Sequence, residues 1–266
     1  MKYVIDHDYH IHSMLSLCSK DPEQNPERLL EYAVSNGLKK ICITDHFWDE
    51  TVAGGSNWYK EQNYAHVSKA LPLPQKDGID FYFGTETELS GDLVLGISRE
   101  TIEKFDFVII PTTHLHMSGY TISGDASSAE RARAFVSRLD AVLDMELPFS
   151  KIGIAHLACA LMDPDRDIVK VLSLISDSEL ESPFKKAAKT GVGIELNASD
   201  FDFDNKTPGQ IGETVRLFGK AKECGCKFYL GSDAHHPAEL DAKAMKCFKT
   251  AIDALELTED DKFRPF

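Results

Sequence analysis

His10 and His12 in the run Asp8-Tyr9-His10-Ile11-His12, and Asp233 and His235 in Gly231-Ser232-Asp233-Ala234-His235, stand two residues apart near opposite ends of the sequence. In an extended strand, residues i and i+2 share a face, so each pair is a pincer of two metal-competent side chains. Four more such residues close short apolar runs between them. His46 follows Ile41-Cys42-Ile43-Thr44-Asp45, and Glu86 follows Phe81-Tyr82-Phe83-Gly84-Thr85. His114 follows Phe107-Val108-Ile109-Ile110-Pro111-Thr112-Thr113, and His156 follows Lys151-Ile152-Gly153-Ile154-Ala155. Imidazole and carboxylate together suit zinc, iron or manganese, and a carboxylate can bridge neighbouring cations, with Glu86 the expected bridge. Paired cations clamp the attacking and leaving oxygens of a displacement at phosphorus, with a bridging hydroxide as nucleophile, so no Ser or Cys nucleophile is required.

Convergence of residues so far apart needs a scaffold. Apolar runs of four to six residues read as strands buried on both faces, as in parallel α/β proteins, and parallel barrels carry their reactive groups at the C-terminal strand ends. The expected strands lie near residues 3–9, 40–45, 80–86, 106–112, 151–156, 192–197 and 227–232. They are seven, one short of the standard barrel. The expectation is an α/β fold, a distorted (β/α)7 TIM-like barrel forming a single domain over residues 1–266. Asn25 as cap, Pro26 at the first helical position, a stripe of Leu29, Leu30, Ala33 and Val34, and Gly37 as stop predict the first helix. Further helices are expected over 128–146, 182–190 and 209–223, with Gly191 and Gly225 as stops. The long segment from Phe47 to Asp77, which carries Gly54-Gly55-Ser56-Asn57-Trp58-Tyr59, reads as a lid or substrate wall.

A formal net charge of −14 argues against a nucleic-acid polymer as partner, because such binding rests on clustered Lys and Arg. A small anionic substrate stays compatible, since bound cations outweigh global charge at short range. Neither a membrane span nor a signal peptide is visible, and six scattered cysteines suit a reducing compartment, so a cytoplasmic location is expected. Cys224-Gly225-Cys226 reads as helix-end packing.

Taken in order, Asp8-x-His10-x-His12-Ser13, Thr44-Asp45-His46, Gly84-x-Glu86, His114, His156 and Gly231-Ser232-Asp233-Ala234-His235 resemble the motifs of the PHP (polymerase and histidinol phosphatase) family. The resemblance spans residues 8–235. It implies a seven-stranded barrel holding two to three divalent metal ions (Zn, Fe or Mn), with His10, His12, His46, Glu86, His114, His156, Asp233 and His235 as ligands. Cys18 stands where many members place another His or an Asp, and its thiolate is a candidate ninth ligand. Glu88 and His116 share the parity of Glu86 and His114 and would replace them after a slip of two residues; otherwise they orient the ligands, as do Asp8 and Asp45. Glu195 suggests positioning. Arg131, Arg133 and Arg166 are candidates for holding phosphate, and His236 is either a general acid or a solvated residue.

The implied activity is metal-dependent phosphoester hydrolysis, most of all a phosphatase of a small phosphomonoester, histidinol phosphate-like or nucleotide-like. His10, His12, Glu86, Asp233 and His235 are its expected catalytic core, and its partner is a small phosphorylated metabolite. The alternatives are a phosphodiesterase or exonuclease on nucleotides, a C–N hydrolase on a related barrel, and a non-catalytic metal-binding regulatory module.

Overall fold

Parallel pairing divides the strands of the computed structural model, which describes residues 1–266, into two sheets. β1 (His7–Ile11), β2 (Lys40–Ile43) and β3 (Asp80–Phe83) form one. β4 (Thr85–Glu86), β5 (Val108–Pro111), β6 (Ile152–Ala155), β7 (Gly193–Asn197) and β8 (Lys227–Gly231) form the other. β3 and β4 are one run of chain broken at Gly84, where a Cβ would lie 2.6 Å from both Cys42 Sγ and the Phe107 carbonyl oxygen. The ring therefore has seven runs. It closes through the Ile11–Ala234 and His46–Glu86 bridges, with the Asp233 amide donating to the His10 carbonyl at 2.7 Å.

Two apolar layers hold this ring. A cluster of 56 buried residues fills the space between strands and helices. A second cluster, Tyr9, Cys42, Phe107, Ile109, Ala155, Tyr229 and Phe263, fills the barrel interior. Gly153 and Gly193 make room for it: a Cβ on Gly153 would meet the Tyr229 hydroxyl at 2.4 Å, and one on Gly193 would meet the Phe263 ring at 2.6 Å. Phe263 enters from the C-terminal segment, its amide bonded to the Phe228 carbonyl at 2.7 Å.

The first helix runs Pro26–Asn36, with the Asn25 side chain capping it and Gly37 in the left-handed conformation, as its sequence predicts. Val34 is exposed and Tyr32 takes its place in the buried face. β1 begins later than expected because the N-terminal residues pair with the C-terminal segment instead: the Tyr3 amide donates to Leu257 and Lys2 bridges Thr258. The helix expected from 182 starts at Asp177, since Ser176 and Glu179 form a reciprocal cap that outweighs the internal Pro183. The helix expected to reach 146 ends at Leu143. A helix over Ala242–Ala254, buried through Ala244, Cys247, Phe248, Ala251 and Ile252, completes the wall without having been read from the sequence. All six cysteines are free, and no helix is long and apolar enough to cross a membrane.

Candidate metal centre

The upper ends of the strands bring the eight implied ligands to one place, with two backbone devices doing the aiming. Register between β1 and β2 slips from Asp8 opposite Ile41 to Ile11 opposite Ile43, so β1 carries one extra residue. Such a bulge bends a strand and re-aims its side chains; here Tyr9 joins the barrel interior while His10 and His12 still face the mouth together. Beyond β6 and β8, His156 and Asp233 take positive φ values of 32° and 53°. The turn at His156 brings in a side chain that alternation from the inward-facing Gly153 and Ala155 would point away, whereas Asp233 keeps the inward parity of Tyr229 and Gly231.

Three ligand groups overlap: His10, His12 and Glu86; Glu86, His114 and His156; and His12, His46 and His235, with ligand atoms inside each group within 4.8 Å of one another. Glu86 links the first two. Its Oε2 lies 3.6 Å from His10 Nε2, 3.4 Å from His12 Nε2 and 2.9 Å from His46 Nδ1, while Oε1 lies 3.1 Å from His156 Nε2. Asp233 Oδ1 is 3.3 Å from His10 Nε2 and 3.1 Å from His12 Nε2.

Five of the six rings, all but His46, are held from behind. His10 Nδ1 meets Glu195 at 2.7 Å, His12 Nδ1 meets the Ser16 hydroxyl at 2.9 Å, and His114 Nδ1 meets Glu88 at 2.8 Å. His156 Nδ1 meets the Thr113 hydroxyl at 3.1 Å and His235 Nδ1 the Asp233 carbonyl at 2.8 Å. Ser16 in turn donates to Asp45 at 2.6 Å, and the Glu195 oxygen not bonded to His10 accepts the His156 amide at 2.6 Å. Such contacts fix the tautomer and leave the other nitrogen as a lone-pair donor to a metal.

The inward atoms fit cations better than they fit each other. His10 Nε2 and His12 Nε2 face one another at 3.0 Å with both carboxylates alongside, and His46 Nδ1, although close to Glu86, is buried and out of line for any hydrogen bond. Buried polar atoms are rarely left so, and convergent imidazole and carboxylate lone pairs are the donor set of a transition-metal cluster. Burial works against an ionised Glu86, yet the His46 and His10 rings hold its carboxyl well below the ordinary range.

Among the remaining candidates, Asp8 accepts from the Ser232 and His10 amides and the Tyr32 hydroxyl, tying β1 to the loop after β8 instead of orienting a ring. Burial pushes its carboxyl up to about 7. Cys18 stands exposed on the cavity wall and belongs to none of the three ligand groups. Arg131 is buried, its guanidinium donating to the carbonyls of Ala126, Leu115 and Met162, and is not free for phosphate. Arg133 and His236 are exposed away from the cavity; Arg166 is exposed in an adjoining cleft. Sequence reasoning missed Ser16, Thr113 and Arg138. Thr113 directly precedes a candidate ligand, but the buried Arg138, 3.6 Å from Glu88, carried no local signal.

The cavity over the cluster measures about 390 Å³, and Trp58 and Tyr59, from the long segment after β2, form one wall of it. The lid-or-wall segment thus contributes a wall.

Comparison with known proteins agrees with this architecture. A probable phosphatase of Syntrophotalea carbinolica is 26% identical over 253 residues, covering 93% of this chain and 85% of the relative. A probable phosphatase of Caldicellulosiruptor bescii is 24% identical over 227 residues, covering 85% and 79%. The fold matches the crystal structure of histidinol phosphate phosphatase from Lactococcus lactis, complexed with zinc, L-histidinol and phosphate, at a TM-score of 0.69 and 19% identity over 98% of this chain and 100% of that one. The family model for the PHP domain matches residues 8–199, most of the chain and six of the eight converging side chains, and this protein belongs to the PHP family.

Proposed function

We propose that this protein is a metal-dependent phosphoesterase acting on a small phosphomonoester, with His10, His12, His46, Glu86, His114, His156, Asp233 and His235 holding two to three divalent ions. The observation that carries this reading is the overlap of three ligand groups through His12 and Glu86. A structural metal site closes with about four ligands, whereas a shared set of eight beneath an open cavity suits several ions with free positions. When bound, such ions supply positive charge toward phosphoryl oxygens and acidity to water. The chain's own work is positional: Glu195, Ser16, Glu88 and Thr113 hold the rings in register, and the Trp58–Tyr59 wall shields the site from bulk water.

The relatives named as probable phosphatases support the activity class, and the fold likeness to a zinc-bound histidinol phosphate phosphatase supports phosphomonoesters among its substrates. A net charge of −14 favours a small substrate over a nucleic-acid polymer. The test is metal analysis of protein purified without chelator, followed by a phosphate-release screen. Two to three ions per chain and activity lost on chelation and regained on reloading are expected; less than one ion per chain after full reloading would overturn the multinuclear reading.

A further inference from the structure

The cavity has two chemically distinct halves. The inner half is the ligand set. The outer half is built by Cys18, Trp58, Tyr59, Met117, Cys159 and Leu161, with His116 at its rim, and contains no Asp, Glu, Lys or Arg. Its one phenol is turned away: the Tyr59 hydroxyl donates to Glu88 at 3.1 Å, so the ring alone faces inward. Trp58 is one of the few large apolar side chains left exposed, at 37%. Its ring is fixed edge-on against Tyr59 at 4.7 Å and against His46 at 5.1 Å. A rigid indole beside a metal-ligand ring, with free surface toward the cavity, is a stacking platform for the part of a substrate that is not phosphate.

Resting on the phosphomonoesterase reading, we propose that the alcohol released by this enzyme is uncharged and ring-bearing, held by Trp58, Met117 and Leu161 while the phosphate lies against the ligand cluster. An ammonium in the outer half would meet no carboxylate, and the Trp58 face alone would replace less than the hydration it loses. A second anion would meet no cation there: Arg166 lies beyond His116 and Leu161 in the adjoining cleft of about 280 Å³, and Arg131 in that cleft is bonded to carbonyls. The inference departs from a histidinol-like substrate, whose amine needs an acidic partner.

Three alkyl monoesters of similar leaving-group chemistry separate the cases: phenethyl phosphate, phosphoethanolamine and phosphoglycolate, assayed for phosphate release with the metal-saturated enzyme. The kcat/KM for phenethyl phosphate is expected to exceed the other two by at least about tenfold. Trp58→Ala should erase that ratio chiefly through KM, with Trp58→Phe retaining most of it. Binding of phenethylphosphonate and aminoethylphosphonate, measured by calorimetry on the same holoenzyme, reads the pocket without turnover and should show the same order. Preference for phosphoethanolamine, or a ratio indifferent to Trp58→Ala, overturns the inference while leaving the phosphatase reading intact. Preference for phosphoglycolate that Arg166→Gln abolishes overturns it too, by showing that the substrate reaches past His116. Absence of turnover on every ester, with the phosphonate preference present, would sink the phosphatase reading and uphold the pocket assignment.

Discussion

The two ends of the barrel interior lie within one ring of strands and hold opposite chemistry. At the upper end the inward side chains are His10, Glu86, Glu195 and Asp233, with imidazole and carboxylate atoms within about 4 Å of each other; at the lower end they are Tyr9, Phe107, Tyr229 and Phe263, packed ring to ring. Glycines serve both. Gly153 and Gly193 admit aromatic rings below, while Gly231 admits Glu195 and His10 above, where a Cβ would lie 2.0 Å from Glu195 Oε1. The difference teaches that stability and chemistry are separated along the strand axis, so substitutions at the two ends should fail in different ways.

The sharpest way to break that comparison is at Glu86 and His235. Glu86→Ala or His235→Ala is expected to lower phosphatase turnover by a factor on the order of a thousand or more while thermal unfolding stays close to the parent, because both groups face the mouth and not the packed interior. Near-normal turnover of either variant with saturating metal would show that the site is misplaced. One step back, Glu195→Gln and Glu88→Gln should weaken metal binding or activity by about 10–100-fold, since they orient His10 and His114 without reaching the cluster. A larger loss at Glu88 than at Glu86 would favour a ligand set displaced by two residues. At the lower end, Phe263→Ala should destabilise the fold by about 3–5 kcal/mol in denaturant titration and leave kcat of the folded fraction unchanged. If it changed kcat as much as it changed stability, the ends would be coupled.

How far the sequence alone reached follows the same division. The upper end was readable because candidate metal ligands must be particular residue types near strand ends, and eight of them fell at or just beyond the apolar runs. The lower end was not, because an interior aromatic looks like any other core residue until contacts are known, and Phe263 comes from a segment that shows no strand pattern. The β1 bulge was also hidden: His10 and His12 obey i, i+2 alternation whether or not Tyr9 turns inward with them. Cys18 is a different case, since a spacing shared with the family placed it near the site and the fold sets its thiol on the cavity wall, outside the three ligand groups. Arg131 looked like a phosphate holder because sequence shows charge and not the three carbonyls that occupy it.

The smallest expected effect sharpens the comparison within the upper end, where the carboxyl groups do not all share one state. Glu86 stays ionised against burial because imidazoles surround it, whereas Asp200, after β7, is buried with only the Ala158 amide bonded to Oδ2 and nothing to Oδ1. Burial raises its pKa from 3.8 to about 6. A carboxyl with a raised folded-state pKa binds protons more tightly folded than unfolded, so its contribution to stability is largest below the unfolded pKa and declines as pH rises toward about 6. Asp200→Asn keeps the acceptor for Ala158 and removes the ionisation. Between pH about 4 and about 7 the parent should therefore lose about 1–3 kcal/mol of unfolding free energy relative to the variant. Comparing the two proteins at each pH cancels the titration of the ligand cluster, which both share. Denaturant titrations that run parallel across that window would mean that Asp200 keeps an ordinary pKa through a contact to its second oxygen, and that upper-end carboxyls stay ionised whether or not imidazoles surround them.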